Sequence, residues 1–279
     1  MKKIFQMIGL ISLTCFSFFV TEKTALVVNN MDEIMIEIKS NKDNYKTNYI
    51  NTKIDEDTII PGVCGKTVNI NKSYKNMKSN GYYSDKLFIY DYKKPKVSLT
   101  DNIDKYIIKG NSNKRMISLI FVLRNDDDIT DILKIIDNYG IGATFFIDYN
   151  WYMNNNNLLQ ELINKGHLVE PLFDDYSDTN YEIMDVILKK IGRENNGFCY
   201  NINENSNNLD ICTMKGNYTI TPIEISDKTP LLDVKSKVEP GAFLSFKVNK
   251  QLKKELSTII IYIRSKGYEL TNIREHALE

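Results

Sequence analysis

Residues 131–147 read DILKIIDNYGIGATFFI and predict a helix, its end and the strand that follows. Ile132 and Ile136 are four residues apart, which is the spacing of one apolar helix face. Gly140 follows this stripe, and glycine often ends helices because it adopts a left-handed backbone without steric cost. Ala143–Asp148 is then an apolar run closed by an acid, as expected of a buried parallel strand. The stretch therefore predicts one helix–strand unit of an α/β fold.

The same alternation continues on both sides of this stretch. Each predicted strand is a short apolar run, and each predicted helix has an apolar stripe that ends at glycine. The clearest segments are the strands Ile117–Leu123, His167–Phe173 and Gly241–Val248 and the helix Gln251–Lys266. Alternating strands and helices favour a parallel sheet or barrel with right-handed crossovers. Residues 113–279 thus predict a short, incomplete barrel.

Composition excludes some classes of function. Lysine and arginine number 36, as do aspartate and glutamate, and no basic stripe stands out, so a nucleic-acid partner is not expected. No cysteine or histidine spacing is typical of a zinc site. We expect His167 to be structural and His276, in the C-terminal tail, to be exposed. Cys199 and Cys212 could pair in an oxidising compartment, or both could remain thiols.

The N-terminus resembles an export signal. Lys2 and Lys3 precede a largely apolar run at residues 4–20, and charge returns after it. Without an A-x-A-like cleavage site, residues 1–23 are predicted to be an uncleaved signal-anchor; a cleaved signal peptide or a buried helix are the alternatives. Lysines remain inside, so the rest of the chain would face outward. We therefore predict a single-pass protein of the cell membrane with an extracellular barrel, or a secreted one.

Two further segments precede the predicted barrel. Residues 24–54 predict a juxtamembrane helix, at Met31–Ser40, followed by a polar spacer. Residues 55–112 predict a small αβ module, because strand-like runs there flank a helix that ends at Gly81.

The order of segments from residue 116 to 275 resembles the polysaccharide deacetylase (NodB-homology) family. The most specific match is YGIGATFFI at 139–147, followed at family spacing by Lys165-Gly166-His167. ISLIF at 117–121 and GAFLSF at 241–246 agree with it. This resemblance implies a distorted (β/α)7 barrel. It also implies a family whose enzymes remove acetyl groups from N-acetylated sugars with a divalent metal.

The chemistry of that family is missing from this chain. Family enzymes have a general base and a metal-binding aspartate after the first strand, two metal-binding histidines, an arginine and a late histidine. Here the base and the aspartate are replaced by Val122 and Leu123, and the two histidines by Leu172 and Tyr176. The arginine motif falls at Phe198–Tyr200, and the late histidine is replaced by Lys247. Hydrocarbon and phenol side chains do not hold a divalent cation as imidazole and carboxylate do. No catalytic residue, metal ligand or cofactor is therefore predicted.

A displaced acidic site is the alternative. A gap in the comparison could move Asp126 and Asp127 onto the missing pair, although it would shorten the crossover that follows. Acids after successive strands could form a ligand face that holds calcium or magnesium through oxygens, or could be solvated loop acids and helix caps. An aromatic side chain there could stack on a sugar or simply pack. The candidates are Asp126, Asp127, Asp148, Trp151, Glu170, Asp174 and Asp175.

The sequence thus favours a catalytically inactive, deacetylase-like protein at the cell surface. It would bind or organise a cell-envelope polysaccharide such as peptidoglycan, or a partner protein, and would contact the membrane through residues 4–20. An active deacetylase that uses displaced acids is one alternative. A structural envelope module without glycan binding is another.

Overall fold

The computed structural model describes residues 31–125, 127–194, 196–202 and 206–279, together with residues 11, 14, 16 and 17. Of the predicted membrane segment at 4–20, only residues 11, 14, 16 and 17 are described. Among the residues described, no helix is long and apolar enough to span a membrane. The signal-anchor therefore stays a prediction.

The secondary structure alternates between helix and strand over most of the chain. The helices are α1 (Glu33–Asn41), α2 (Ile70–Asn80), α3 (Thr130–Asn138), α4 (Tyr149–Asn154), α5 (Asn156–Asn164), α6 (Thr179–Lys190), α7 (Ser206–Met214), α8 (Pro230–Lys237), α9 (Lys250–Ser265) and α10 (Ile273–Ala277). The strands are β1 (Lys53–Asp55), β2 (Thr58–Ile60), β3 (Gly65–Val68), β4 (Tyr90–Lys93), β5 (Tyr106–Ile107), β6 (Met116–Leu123), β7 (Thr144–Ile147), β8 (Leu168–Pro171), β9 (Phe198–Tyr200), β10 (Tyr218–Ile220), β11 (Ile223–Glu224), β12 (Phe243–Lys247) and β13 (Glu269–Thr271).

The chain forms two compact units, whose boundaries differ from the predicted ones. Among the described residues, the small unit contains 31–49 and 64–93, and the large unit contains 50–63 and 94–279. The predicted 55–112 module is therefore divided between them. The predicted spacer is divided too, because residues 53–55 form a strand of the large unit.

The small unit packs two helices on an antiparallel strand pair. β3 and β4 pair along their whole length, and Ile38, Met77 and Phe88 form the core beneath them. Asn69 caps α2 by accepting a hydrogen bond from the Lys72 backbone amide, which satisfies one free donor of the first turn. The helix predicted at Met31–Ser40 is present as α1, and its place beside a membrane stays a prediction.

The large unit contains two mainly parallel sheets. One has the order β11-β12-β6-β7-β8, with β13 paired to the start of β6; the other has the order β1-β2-β5-β10-β9. Among the strand pairs described in the large unit, only β1 and β2 pair antiparallel. The predicted α/β alternation is confirmed. The sequence predicts an incomplete (β/α)7 barrel. In the structure, strands β6–β12 are divided between two sheets, since no ladder joins β8 to β9 or β10 to β11 in the described part of the chain.

Apolar side chains cover both faces of β6. Ile120 lies in a cluster between the sheets with Phe146, Tyr200 and Phe243. Phe121 faces the other way, into the larger core beneath the helices. A strand covered on both faces needs a nearly continuous apolar sequence, which is why β6 reads MISLIFVL. Strands β6, β8, β9, β11 and β12 end around one pocket, which is the site described below.

Candidate functional site

A pocket of about 530 Å³ opens where five strands of the large unit end. Its wall includes Val122 at the end of β6, Leu172 just after β8, and Tyr200 at the end of β9. Glu224 at the end of β11 and Lys247 at the end of β12 also line the pocket. Ligands of barrel and open α/β folds bind at the carboxyl ends of the strands. This pocket is therefore the candidate site.

The first pair of family motif positions supplies only hydrocarbon to the pocket. Val122 is half-buried and lines the wall, whereas Leu123 is buried among the helices on the opposite face of β6. Neither side chain can accept a proton or coordinate a cation. A general base and a metal carboxylate are thus both missing at this strand.

Tyr176 stands at the position of a family metal-binding histidine. The side chain is buried, and its hydroxyl accepts a hydrogen bond from the Tyr200 backbone amide at 2.8 Å. The hydroxyl also lies 3.3 Å from the Pro171 carbonyl, to which it donates. Burial raises the pKa of the phenol, so it remains protonated. Tyr176 therefore joins β8 to β9 across the gap where the ladder is interrupted.

The remaining motif positions are equally changed. Leu172, at the other histidine position, is buried in the pocket wall. The Tyr200 hydroxyl donates to Ser245 Oγ at 2.8 Å, and burial raises the pKa of Tyr200 to about 12. Lys247, at the late histidine position, is exposed at the rim. A neutral hydroxyl pair and a lysine provide no metal ligand set.

A disulfide replaces the arginine motif. Cys199 in β9 is bonded to Cys212 in α7, and both cysteines are buried. The pairing that the sequence left open is therefore present in the structure. Cys64 is free.

The predicted acidic ligand face is not assembled as one site. The Asp148 side chain caps α4 through the Trp151 backbone amide at 2.7 Å and also accepts from the Asn125 amide at 3.2 Å. Asp127 accepts from the Arg124 backbone amide at 2.9 Å. Asp175 forms a turn with the Ser177 amide and hydroxyl, while Asp174 pairs with Arg124 at 2.8 Å. No group of three metal-ligating side chains is found within the described ranges, and Asp126 lies outside them.

Two members of that face are buried, so the prediction that they could meet a ligand is wrong. Trp151 is fully buried, and its indole N–H donates to the Asp127 carbonyl at 2.8 Å, which excludes stacking on a sugar. Glu170 is also fully buried and pairs with Arg193 Nη1 at 2.7 Å. Arg193 in turn contacts Asp185. A buried charge needs such a partner, but Glu170 and Arg193 are 23 positions apart in the sequence, so no local pattern indicates the pair.

The histidines lie outside the pocket. His167 is buried; its Nδ1 accepts from the Ala143 backbone amide at 3.3 Å, so it has the structural position that was predicted. The prediction that His276 is exposed is wrong. Its ring is fully buried, with Nδ1 2.9 Å from Ser118 Oγ, because α10 folds the tail back onto the start of β6.

Known proteins share this architecture. No family model matches the chain. "Uncharacterized protein YlxY" of Bacillus subtilis (strain 168) is 26% identical over 273 residues, covering 90% of this chain and 86% of that protein. The solved structure of BA3943, described as a CE4 family pseudoenzyme from Bacillus anthracis, is similar with a TM-score of 0.66 and 21% identity. The match covers 88% of this chain and 95% of BA3943.

A second solved structure extends the likeness to an esterase. PdaA of Bacillus subtilis, a family 4 carbohydrate esterase, is similar with a TM-score of 0.55 and 17% identity, over 64% of this chain and 86% of PdaA. The chain has the family 4 carbohydrate esterase fold. The resemblance to polysaccharide deacetylases is thereby confirmed at the level of the fold. Relative to the family 4 motifs, this chain is degenerate at each position considered above.

Proposed function

We propose that this chain is a catalytically inactive, deacetylase-like protein that binds a cell-envelope glycan outside the membrane. The observation that carries the proposal is the pocket at the strand ends. The pocket lies at the strand ends, where the resemblance places the family's active site, yet Val122 and Leu172 line it in place of an acid and a histidine.

The absence of these side chains removes the reaction chemistry. A metal-activated water needs imidazole or carboxylate ligands to hold the cation, and the bound cation lowers the water's pKa. A mutant of BA3943 is described as having restored enzymatic activity, which supports residue loss rather than a changed fold as the cause of inactivity in such proteins. Displaced acids are a poor alternative, because Asp127, Asp148 and Asp175 already bind backbone amides.

The pocket remains suited to a small saccharide. Its volume is within the range of about 300–1,000 Å³ typical of ligand pockets. Its lining combines apolar side chains such as Ile202 and Ile225 with charged groups. A sugar presents apolar ring faces and hydroxyl groups, so both kinds of surface find a partner.

Two observations support export. The Cys199–Cys212 disulfide favours an oxidising compartment, where such bonds persist. Lys2 and Lys3 followed by the apolar run at 4–20 favour anchoring with the large unit outside.

Binding to N-acetylglucosamine oligomers tests the proposal. Isothermal titration with the full chain in detergent should show saturable binding that Val122→Phe abolishes, because the added ring fills the pocket. Ile261→Phe is the matched control, since Ile261 is 55% exposed on α9 and its substitution should change nothing. Thermal denaturation should show that both variants fold. Equal binding by Val122→Phe would remove the pocket from the proposal, and no binding to oligomers or peptidoglycan would favour a structural module.

A further inference from the structure

The charges around the pocket are separated by sign. Lys247 in β12 is paired in register with Val122 in β6. Arg124, two residues after Val122, also lines the pocket. Glu224 ends β11, on the other side of β12, and Asp227 follows it. One side of the pocket is therefore cationic and the other acidic.

Some of these charges are already neutralised. Asp233 pairs with Lys237 at 2.9 Å and also accepts a hydrogen bond from the Ser226 amide. Arg124 forms an ion pair with Asp174 at 2.8 Å, with both side chains substantially exposed.

Three lining charges are left for a ligand. Lys247, Glu224 and Asp227 form no side-chain ion pair or hydrogen bond with any residue that the structure describes. All three are exposed at the rim, above the apolar side chains of Val122 and Leu172. A ligand that matches this arrangement has an apolar part, an anionic group and a cationic group.

We infer that the pocket takes a saccharide that bears both a free amine and a carboxylate. This inference rests on the proposed glycan-binding function and specifies its ligand class. The carboxylate would lie against Lys247 and the ammonium against Glu224 and Asp227, with the ring over the apolar wall. N-acetylation removes the ammonium, so the preferred ligand is de-N-acetylated.

Four monosaccharides with the same ring separate the two charges. Glucosamine has the amine only, N-acetylmuramic acid the carboxylate only, muramic acid both, and N-acetylglucosamine neither. NMR titrations of the full chain in detergent micelles should rank muramic acid tightest and N-acetylglucosamine weakest. Partly exposed ion pairs contribute up to about 1 kcal/mol, so each matched charge should improve Kd about threefold to fivefold.

Variants assign each gain to one side of the pocket. Lys247→Gln should abolish the gain from the carboxylate and leave the gain from the amine. The double variant Glu224→Gln/Asp227→Asn should do the reverse. Lys254→Gln, at an exposed lysine of α9 that does not line the pocket, should leave both gains unchanged.

The failure of the inference differs from the failure of the proposed function. Equal Kd values for the four sugars, or gains that survive both pocket variants, would overturn the inference while glycan binding stands. No binding of these sugars, of oligomers or of peptidoglycan would overturn both.

Discussion

We predict that the Tyr176 hydroxyl, at the position of a family metal-binding histidine, has a structural role, and Tyr176→Phe tests this. β9 is the edge strand of its sheet, so among the described residues the Tyr200 N–H has no neighbouring strand to bond with on that side. The Tyr176 hydroxyl, 2.8 Å away, accepts from it. Phenylalanine keeps the ring and its packing but removes the acceptor.

The expected loss of stability follows from the burial of the Tyr200 N–H, which loses its acceptor in Tyr176→Phe. Tyr176 and Tyr200 are 1% and 3% exposed, so water cannot replace the hydroxyl without local opening. An unsatisfied buried donor costs about 1–3 kcal/mol. The bond to the Pro171 carbonyl is longer, at 3.3 Å, and should add little. We therefore expect the free energy of unfolding to fall by about 2 kcal/mol.

Urea denaturation followed by circular dichroism measures this difference. Tyr152→Phe is the matched control, because Tyr152 is half-buried and its hydroxyl has no hydrogen-bond partner among the described residues. The control should change the free energy of unfolding by less than about 0.5 kcal/mol. If Tyr176→Phe is as stable as the control, the hydroxyl does not join β8 to β9 and the reasoning is refuted.

Three other predictions concern stability and location. Burial, aided by the nearby Lys114 cation, lowers the pKa of His276 to about 3, so below pH 6.5 the unfolded chain binds a proton that the folded chain does not. The free energy of unfolding should therefore fall as the pH drops from 6.5, by about 2 kcal/mol at pH 5. It should fall less steeply in His276→Gln. Reduction of the Cys199–Cys212 disulfide, which spans 13 residues, should lower the free energy of unfolding by about 3 kcal/mol, and the same reductant should not affect Cys199→Ala/Cys212→Ala. Protease added to intact cells should digest the large unit if residues 4–20 anchor the chain with its bulk outside; full protection would reject that orientation.

The parallel α/β core was predictable because its signals are local. The predicted strand Ile117–Leu123 is observed as Met116–Leu123, and the predicted run Ala143–Asp148 contains Thr144–Ile147. In each case an apolar run and a following glycine-terminated helix specify the element without reference to distant residues.

The strands that join the second sheet were not predictable in this way. β1, β2 and β5 have only two or three residues each, which is too short for a periodic pattern. β5 pairs with β10, more than 100 residues later in the chain, and β2 and β1 join the sheet through β5. A local sequence pattern does not indicate such a distant strand partner, which is why the sequence predicts a separate module at residues 55–112.

The sequence indicates where the candidate site lies in the fold, but not which partners its side chains contact. The motif comparison correctly drew attention to Val122, Leu172 and Lys247, which all line the pocket. Glu170 looked like a loop acid, because its partner Arg193 is distant in sequence. Whether an acid faces a ligand or a backbone amide depends on tertiary packing that the pattern does not contain.

Acetate release tests the central claim most directly. The purified full chain is incubated with N-acetylglucosamine oligomers and with peptidoglycan, each with added zinc, cobalt or calcium, beside a family 4 carbohydrate esterase as positive control. The account predicts no acetate above the protein-free blank under any of these conditions, because Val122, Leu123, Leu172 and Tyr176 supply neither base nor metal ligands. Metal-dependent acetate release by the wild-type chain would contradict it.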